Sequence, residues 1–162
     1  IIDLDQVDEL NVVIDGADEV DPENNLIKGG GGALLMEKIV ASCSKQFIII
    51  VDSSKIVSNL GKFPLPVEVV QFGSERIKAS IERFLISLGY QMPKVTFRRA
   101  ASNKYVTDQQ NYILDLHLNE ILDPKTLSNG LLQIVGVVEV GLFIDMASKI
   151  IIGNDDGSCK VI

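Results

Sequence analysis

Three short clusters in the first third of the sequence carry side chains able to do chemistry together: Asp15-Gly16-Ala17-Asp18-Glu19, Lys28-Gly29-Gly30-Gly31-Gly32, and Glu37 with Lys38. In the first, Gly16 and Ala17 keep the turn small, so its carboxylates can converge on one small molecule. An Asp-Gly turn flanked by solvated acids would read the same way. In the second, four consecutive glycines are entropically costly, and they let main-chain N–H groups approach an anion or oxyanion where a helix begins. Lys28 would add a full positive charge beside them. The lysine precedes the glycines, so this is not a Walker A loop; a merely flexible loop is the plainer alternative. Glu37 falls about one turn into the helix that follows, and its interest comes from that proximity. Asp52-Ser53-Ser54-Lys55 follows the next apolar run, which makes Lys55 a candidate phosphate or carboxylate partner or else a solvated loop lysine. His117 is the sole histidine and lies in a later strand region, so it is assigned to structure.

The elements that must hold these residues alternate. Asn11 to Ile14 reads as a buried strand ending in the Asp15-Gly16 turn, so the acids sit at the carboxyl edge where open parallel sheets bind ligands. Leu35, Met36, Ile39, Val40 and Cys43 recur at helical spacing after the glycines, and Phe47 to Val51 reads as a second buried strand. Gly61-Lys62-Phe63-Pro64-Leu65-Pro66 is an extended crossing. Beyond it come a strand at Val67 to Val70, a helix capped by Ser74 and stopped by Gly89, strands at Val95 to Phe97 and Tyr112 to Leu116, a helix from Asp123-Pro124 to about Leu132, and a strand at Val137 to Val140. That order is the βαββαβ of a ferredoxin-like sandwich. Ile150 to Ile152 is expected to return to the first sheet. The expectation is an α/β chain: a Rossmann-like parallel sheet lacking its N-terminal part, residues 1–66 with 145–162 returning to it, and an inserted ferredoxin-like lobe over 67–144.

At 162 residues, 46% hydrophobic and 23% charged, the chain can build a real core. Its net charge of −7 speaks against nucleic acid or an anionic membrane as partner. A mean hydropathy of +0.25 suggests apolar surface buried against further copies or in parallel strands. Cys43 and Cys159 form no metal-binding or C-x-x-C pattern and read as reduced thiols. Phe47 to Val51 is far too short to span a bilayer, so the cytoplasm is the expected location. The chain begins at Ile1, apolar as though in mid-strand, and is read as the remainder of a longer protein.

Several of these stretches together resemble the A-type ribose-5-phosphate isomerases. Val13-Ile14-Asp15-Gly16-Ala17-Asp18-Glu19, Ile27-Lys28-Gly29-Gly30-Gly31 and Glu37-Lys38-Ile39 carry the likeness. So do Leu60-Gly61-Lys62-Phe63-Pro64-Leu65-Pro66-Val67-Glu68-Val69, and Gly136-Val137-Val138 with Gly141-Leu142-Phe143. They stand in family order and cover essentially the whole chain.

The resemblance implies interconversion of ribose 5-phosphate and ribulose 5-phosphate through an enediolate. Glu37 would be the carbon base. Asp15 and Asp18 would handle sugar hydroxyls, with Gly16 and Ala17 lining the same substrate site. Lys28 and the amides of Gly29, Gly30 and Gly31 would stabilise the charged oxygen, and Lys55 would bind substrate. It implies no metal or organic cofactor, a sugar phosphate as the only ligand, and a homodimer or homotetramer. The family's Thr/Ser- and Gly-rich phosphate loop is not found in this sequence; either it lies upstream of Ile1 or the chain has lost it. The rival readings are a non-catalytic sugar-phosphate sensor, a magnesium-dependent phosphatase using Asp15 and Asp18, and a structural remnant of a degraded enzyme.

Overall fold

A computed structural model describes residues 2–162, so the mid-strand reading of Ile1 lies outside the described residues. Strand β1 (Val13–Asp15) ends on the first acidic cluster, and the short β2 (Glu19–Val20) and β3 (Leu26–Ile27) follow it. Helix α1 (Leu34–Ser42) then leads into β4 (Phe47–Asp52). Next come β5 (Leu65–Val69), α2 (Ser74–Ser87), β6 (Lys94–Phe97), and a small hairpin of β7 (Arg99–Ala100) and β8 (Asn103–Lys104). The chain closes through β9 (Tyr112–His117), α3 (Pro124–Leu132), β10 (Val137–Val140), β11 (Leu142–Phe143), β12 (Lys149–Gly153) and β13 (Cys159–Val161).

The first sheet runs β1-β4-β12-β13. β4 pairs in parallel with β1 and β12, and β13 closes the edge antiparallel to β12, so residues 149–153 do return to the first sheet. The run in β4 is apolar throughout, yet only Phe47, Ile49 and Val51 are buried. They pack with Val20, Leu26, Phe143, Ile150 and Ile152. On the other face Ile50 is 49% and Ile14 62% exposed, which corrects the expectation of strands buried on both sides. Side chains alternate across a sheet, and among the described residues only one face is covered. Helix α1 departs in the same way: Leu34 and Ala41 are its buried positions, while Met36 and Ile39 of the expected apolar face are exposed.

The second sheet, β10-β5-β9-β6, is antiparallel throughout, and its strands in chain order stand as fourth, first, third, second. Ile77, Ile81 and Leu85 of α2 and Leu127 and Leu131 of α3 join its core. That is the βαββαβ arrangement expected from the sequence. The α3 start follows from chemistry: the Asp123 side chain accepts from the Thr126 N–H at 2.9 Å, and Pro124 sits where no donor is needed. Two local readings change. Gly73, at φ 69°, holds the cap position of α2, and Ser74 is its first helical residue. The lobe's first strand begins at Leu65, so the expected boundary at residue 66 falls inside a strand whose centre packs between two neighbours.

A three-stranded sheet β11-β3-β2 joins the two halves, pairing Leu142 with Ile27 and Phe143 with Leu26. Glu19 reinforces that joint. Its buried carboxylate accepts the N–H groups of Gly61 (2.7 Å) and Phe63 (2.6 Å), so this acid is structural and does not converge with Asp15 and Asp18. Among the described residues, no helix is long and apolar enough to cross a membrane.

Candidate active site

Strand β1 delivers Asp15 at the carboxyl edge of the first sheet, and the turn after it brings back Asp18, whose N–H donates to the Ile27 carbonyl at 2.8 Å. Strand β3 delivers Lys28, whose backbone N–H donates to the Gly141 carbonyl at 2.9 Å. The glycine turn then reverses the chain into α1, and Glu37 projects from its first turn. These pieces enclose a cleft of about 230 Å³ lined by residues 15–18, 28–31 and Glu37.

Lys28 is the centre of the arrangement and is 3% exposed. Its Nζ lies 2.8 Å from Asp15 Oδ2 and 3.3 Å from Glu37 Oε2, and donates to the Gly16 carbonyl at 2.5 Å. The Phe143 ring lies beneath it, 5.5 Å from Nζ to centroid. A buried ammonium needs such partners, and Asp15 supplies the shorter ion pair. Glu37 is held less tightly. Its Oε2 is buried and makes no hydrogen bond among the described residues, leaving a carboxylate oxygen beside a cation with a free lone pair. Burial pushes the Glu37 carboxyl above its ordinary value; the Lys28 charge opposes this, and the charges of Asp15 and Asp18 add to it.

The glycine turn is only partly free to hold an anion. The Gly30 N–H donates to Asp18 Oδ2 at 2.8 Å, and the Gly32 N–H to the Gly29 carbonyl at 3.0 Å. The expectation that Gly29, Gly30 and Gly31 all offer amides therefore changes: Asp18 already occupies that of Gly30. A Cβ on Gly30 would stand 2.6 Å from Asp18 Oδ1, so any side chain there would displace the Asp18 carboxylate.

Lys55 lies elsewhere. It lines a larger adjoining cavity of about 510 Å³ with Asp52, Asn154 and Cys159, which shares Gly16 and Ala17 with the cleft. The smaller cleft is the candidate reaction site, because the three carboxylates and the buried ammonium converge there. His117 contacts Thr96 at 3.1 Å and does not line the cleft. Lys38, next to Glu37 in sequence, turns away and donates to Glu139 (2.7 Å) and to the carbonyls of Val140 (2.6 Å) and Leu142 (2.9 Å).

Sequence reasoning missed Arg98. It reaches from the end of β6 to the carbonyls of Gly29 (2.7 Å) and Gly30 (2.9 Å), while its other nitrogens hold Asp115. Arg98-Arg99 beside a hairpin looks like surface. The available signal was Asp115, a charge inside the apolar strand Tyr112–His117, which demands a partner.

Comparison with known proteins bears on this site. Residues 1–157 match the family model of ribose 5-phosphate isomerase A (phosphoriboisomerase A). A ribose-5-phosphate isomerase A of Ruegeria sp. (strain TM1040) is 52% identical over 99% of this chain, which spans 62% of that relative. Among solved structures, a ribose 5-phosphate isomerase from Plasmodium falciparum superposes with TM-score 0.89 at 36% identity, over 95% of this chain and 66% of that one. A D-ribose-5-phosphate isomerase in complex with phospho-erythronic acid gives TM-score 0.87 at 40% identity, over 99% and 68%.

Proposed function

The chain belongs to the ribose 5-phosphate isomerase A family, and on that premise we propose that it interconverts D-ribose 5-phosphate and D-ribulose 5-phosphate, with Glu37 as the carbon base. The observation that carries this reading is the Glu37 oxygen, buried, without a hydrogen bond, and 3.3 Å from the Lys28 ammonium. Moving a proton between adjacent carbons needs a base and a means of holding the charge that develops on oxygen. Glu37 takes the proton from C2 of the open-chain aldose, and the electron pair moves onto the C1 oxygen to give the enediolate. Return of the proton to C1, with transfer of the O2 proton to the C1 oxygen, gives the ketose.

Lys28 faces the enediolate oxygens. Asp15 fixes the Lys28 ammonium and, with Asp18, meets the sugar hydroxyls; Gly16, Ala17 and the glycine turn line the same site, and Lys55 binds substrate from the adjoining cavity. Both aspartates are already engaged, Asp15 by Lys28 and Asp18 by the Gly30 N–H, which favours this reading over a magnesium-dependent phosphatase. No metal or organic cofactor enters the scheme. The same reading divides the chain into a catalytic unit, residues 1–64 with 145–162, and a lobe of 65–144, with the boundary moved to the start of β5. It assigns the protein to the cytoplasm as a homodimer or homotetramer whose ligand is a sugar phosphate, with no nucleic-acid or membrane partner.

The test is conversion of ribose 5-phosphate by the protein at its full natural length, with and without chelator. Chelator-resistant turnover supports the assignment. A folded protein that binds the sugar phosphate without turning it over would overturn it in favour of a sensor.

A further inference from the structure

We propose that Arg98 is a positioning residue of this reaction: locked onto Asp115, it grips the carbonyls of Gly29 and Gly30 and thereby aims the Gly31 N–H into the cleft as an oxyanion donor. The inference rests on the isomerase reading and adds to it a residue from the other lobe.

The geometry follows from peptide planarity. In a trans peptide the C=O and the following N–H point in opposite directions. Arg98 Nη1 donates to the Gly29 carbonyl, so the Gly30 N–H must point away from the arginine; it is found on Asp18 Oδ2 at 2.8 Å. Arg98 Nη1 also donates to the Gly30 carbonyl at 2.9 Å, and by the same rule the Gly31 N–H faces away from the arginine. Gly31 lines the cleft with Asp18 and Glu37, and its N–H has no hydrogen-bond partner among the described residues. One peptide thus serves Asp18, and the next leaves a donor for substrate.

The grip is built to be rigid. Arg98 Nε and Nη2 hold the two Asp115 oxygens at 3.1 and 2.6 Å, a two-pronged pair that spares Nη1 for the glycines. The two side chains are only 15% and 17% exposed, and Asp115 neutralises the guanidinium charge. The contribution is therefore direction rather than field. Tyr105 of the same segment lies 3.4 Å from the Gly31 carbonyl, and a Cβ on Gly32 would run into its ring. Buried Glu68 anchors that segment through Thr107 (2.8 Å) and Asn111 (3.0 Å). A lysine at residue 98 would keep the charge but could not span Asp115 and both carbonyls.

The test compares Arg98→Lys and Arg98→Met with the parent at full natural length. Readouts are kcat and KM for ribose 5-phosphate, affinity for phospho-erythronic acid, and amide hydrogen exchange over residues 28–32. Both variants are expected to lose about ten- to hundred-fold in kcat with KM moved by less than about three-fold. Exchange should quicken in the glycine turn and not in β5. Arg98→Lys serves alone if the methionine variant does not fold. A fully active Arg98→Lys, a loss confined to KM, or unchanged exchange overturns the assignment. An inactive parent overturns the isomerase reading itself and this proposal with it, an outcome distinct from an active parent with an indifferent Arg98.

Discussion

The Lys28 ammonium and the Glu37 carboxylate oxygen Oε2 stand 3.3 Å apart with no hydrogen bond completing Oε2, while Asp15 holds the same ammonium more closely at 2.8 Å. One cation thus faces two carboxylates, and the looser of the two is the proposed base. A base bonded tightly to its neighbour would have to break that bond before accepting a proton.

Replacing Glu37 by Gln removes the proposed base and keeps its shape. Turnover is expected to fall by about 10²-fold or more, with affinity for phospho-erythronic acid changed by less than about three-fold. Stability should hold or rise. A carboxyl whose folded pKa is raised contributes stability below its ordinary value of 4.5 and loses it as pH rises through the folded value, so ionised Glu37 is a burden at neutral pH. Melting curves at pH 8 check this; near-parental turnover would remove Glu37 from its role.

The acid limb of kcat/KM should lie above 4.5, because burial raises the Glu37 carboxyl and only its ionised form accepts the proton. The Asp15 charge contributes to that rise, so Asp15→Asn should move the limb toward lower pH even as it lowers the rate. A pH–rate profile whose limb does not move would show that Asp15 and Glu37 are electrostatically independent.

Lys28→Met acts in the opposite direction. It removes the charge that holds Glu37 down, so the limb should move to higher pH. It also removes the proposed oxyanion partner, worth about 3 kcal/mol of transition-state stabilisation, or about a hundred-fold in kcat. A variant altered only in KM would reduce Lys28 to ground-state binding.

Neighbouring glycines should respond unequally. A Cβ on Gly30 meets Asp18 Oδ1 at 2.6 Å, whereas one on Gly31 meets nothing within 4 Å. Gly30→Ala is expected to displace Asp18 and cost roughly ten- to hundred-fold in turnover, as misplacement by about 1 Å does elsewhere. Gly31→Ala should fold as well as the parent. Equal effects on rate in side-by-side assays would show that Asp18 is not held through Gly30.

Lys38 is a stability residue despite its place beside Glu37. Burial lowers its pKa and Glu139 opposes that, while the Val140 and Leu142 carbonyls also accept from the ammonium. Lys38→Met would strand Glu139 and both carbonyls, at a cost of about 3 kcal/mol in denaturant unfolding. A loss below about 0.5 kcal/mol would show the pair to be dispensable.

Local interactions made much of this protein legible in its sequence. Apolar periodicity marked α1, an unbroken apolar run marked β4, Asp123-Pro124 announced the start of α3 at its observed residue, and the element order gave the βαββαβ lobe. Each depends on neighbours a few residues apart, as do the glycine turn and the placement of Glu37 one turn beyond it. Tertiary structure decided which polar groups meet. Glu19 and Asp18 are adjacent in sequence, yet one caps a crossover and the other takes the Gly30 N–H. Lys55, four residues past Val51, faces a different cavity from Lys28. Arg98 arrives from another sheet to hold the glycine turn. A side chain's type fixes that it must be satisfied once buried; which partner satisfies it depends on strand register and on how the sheets pack, and spacing along the chain does not encode those.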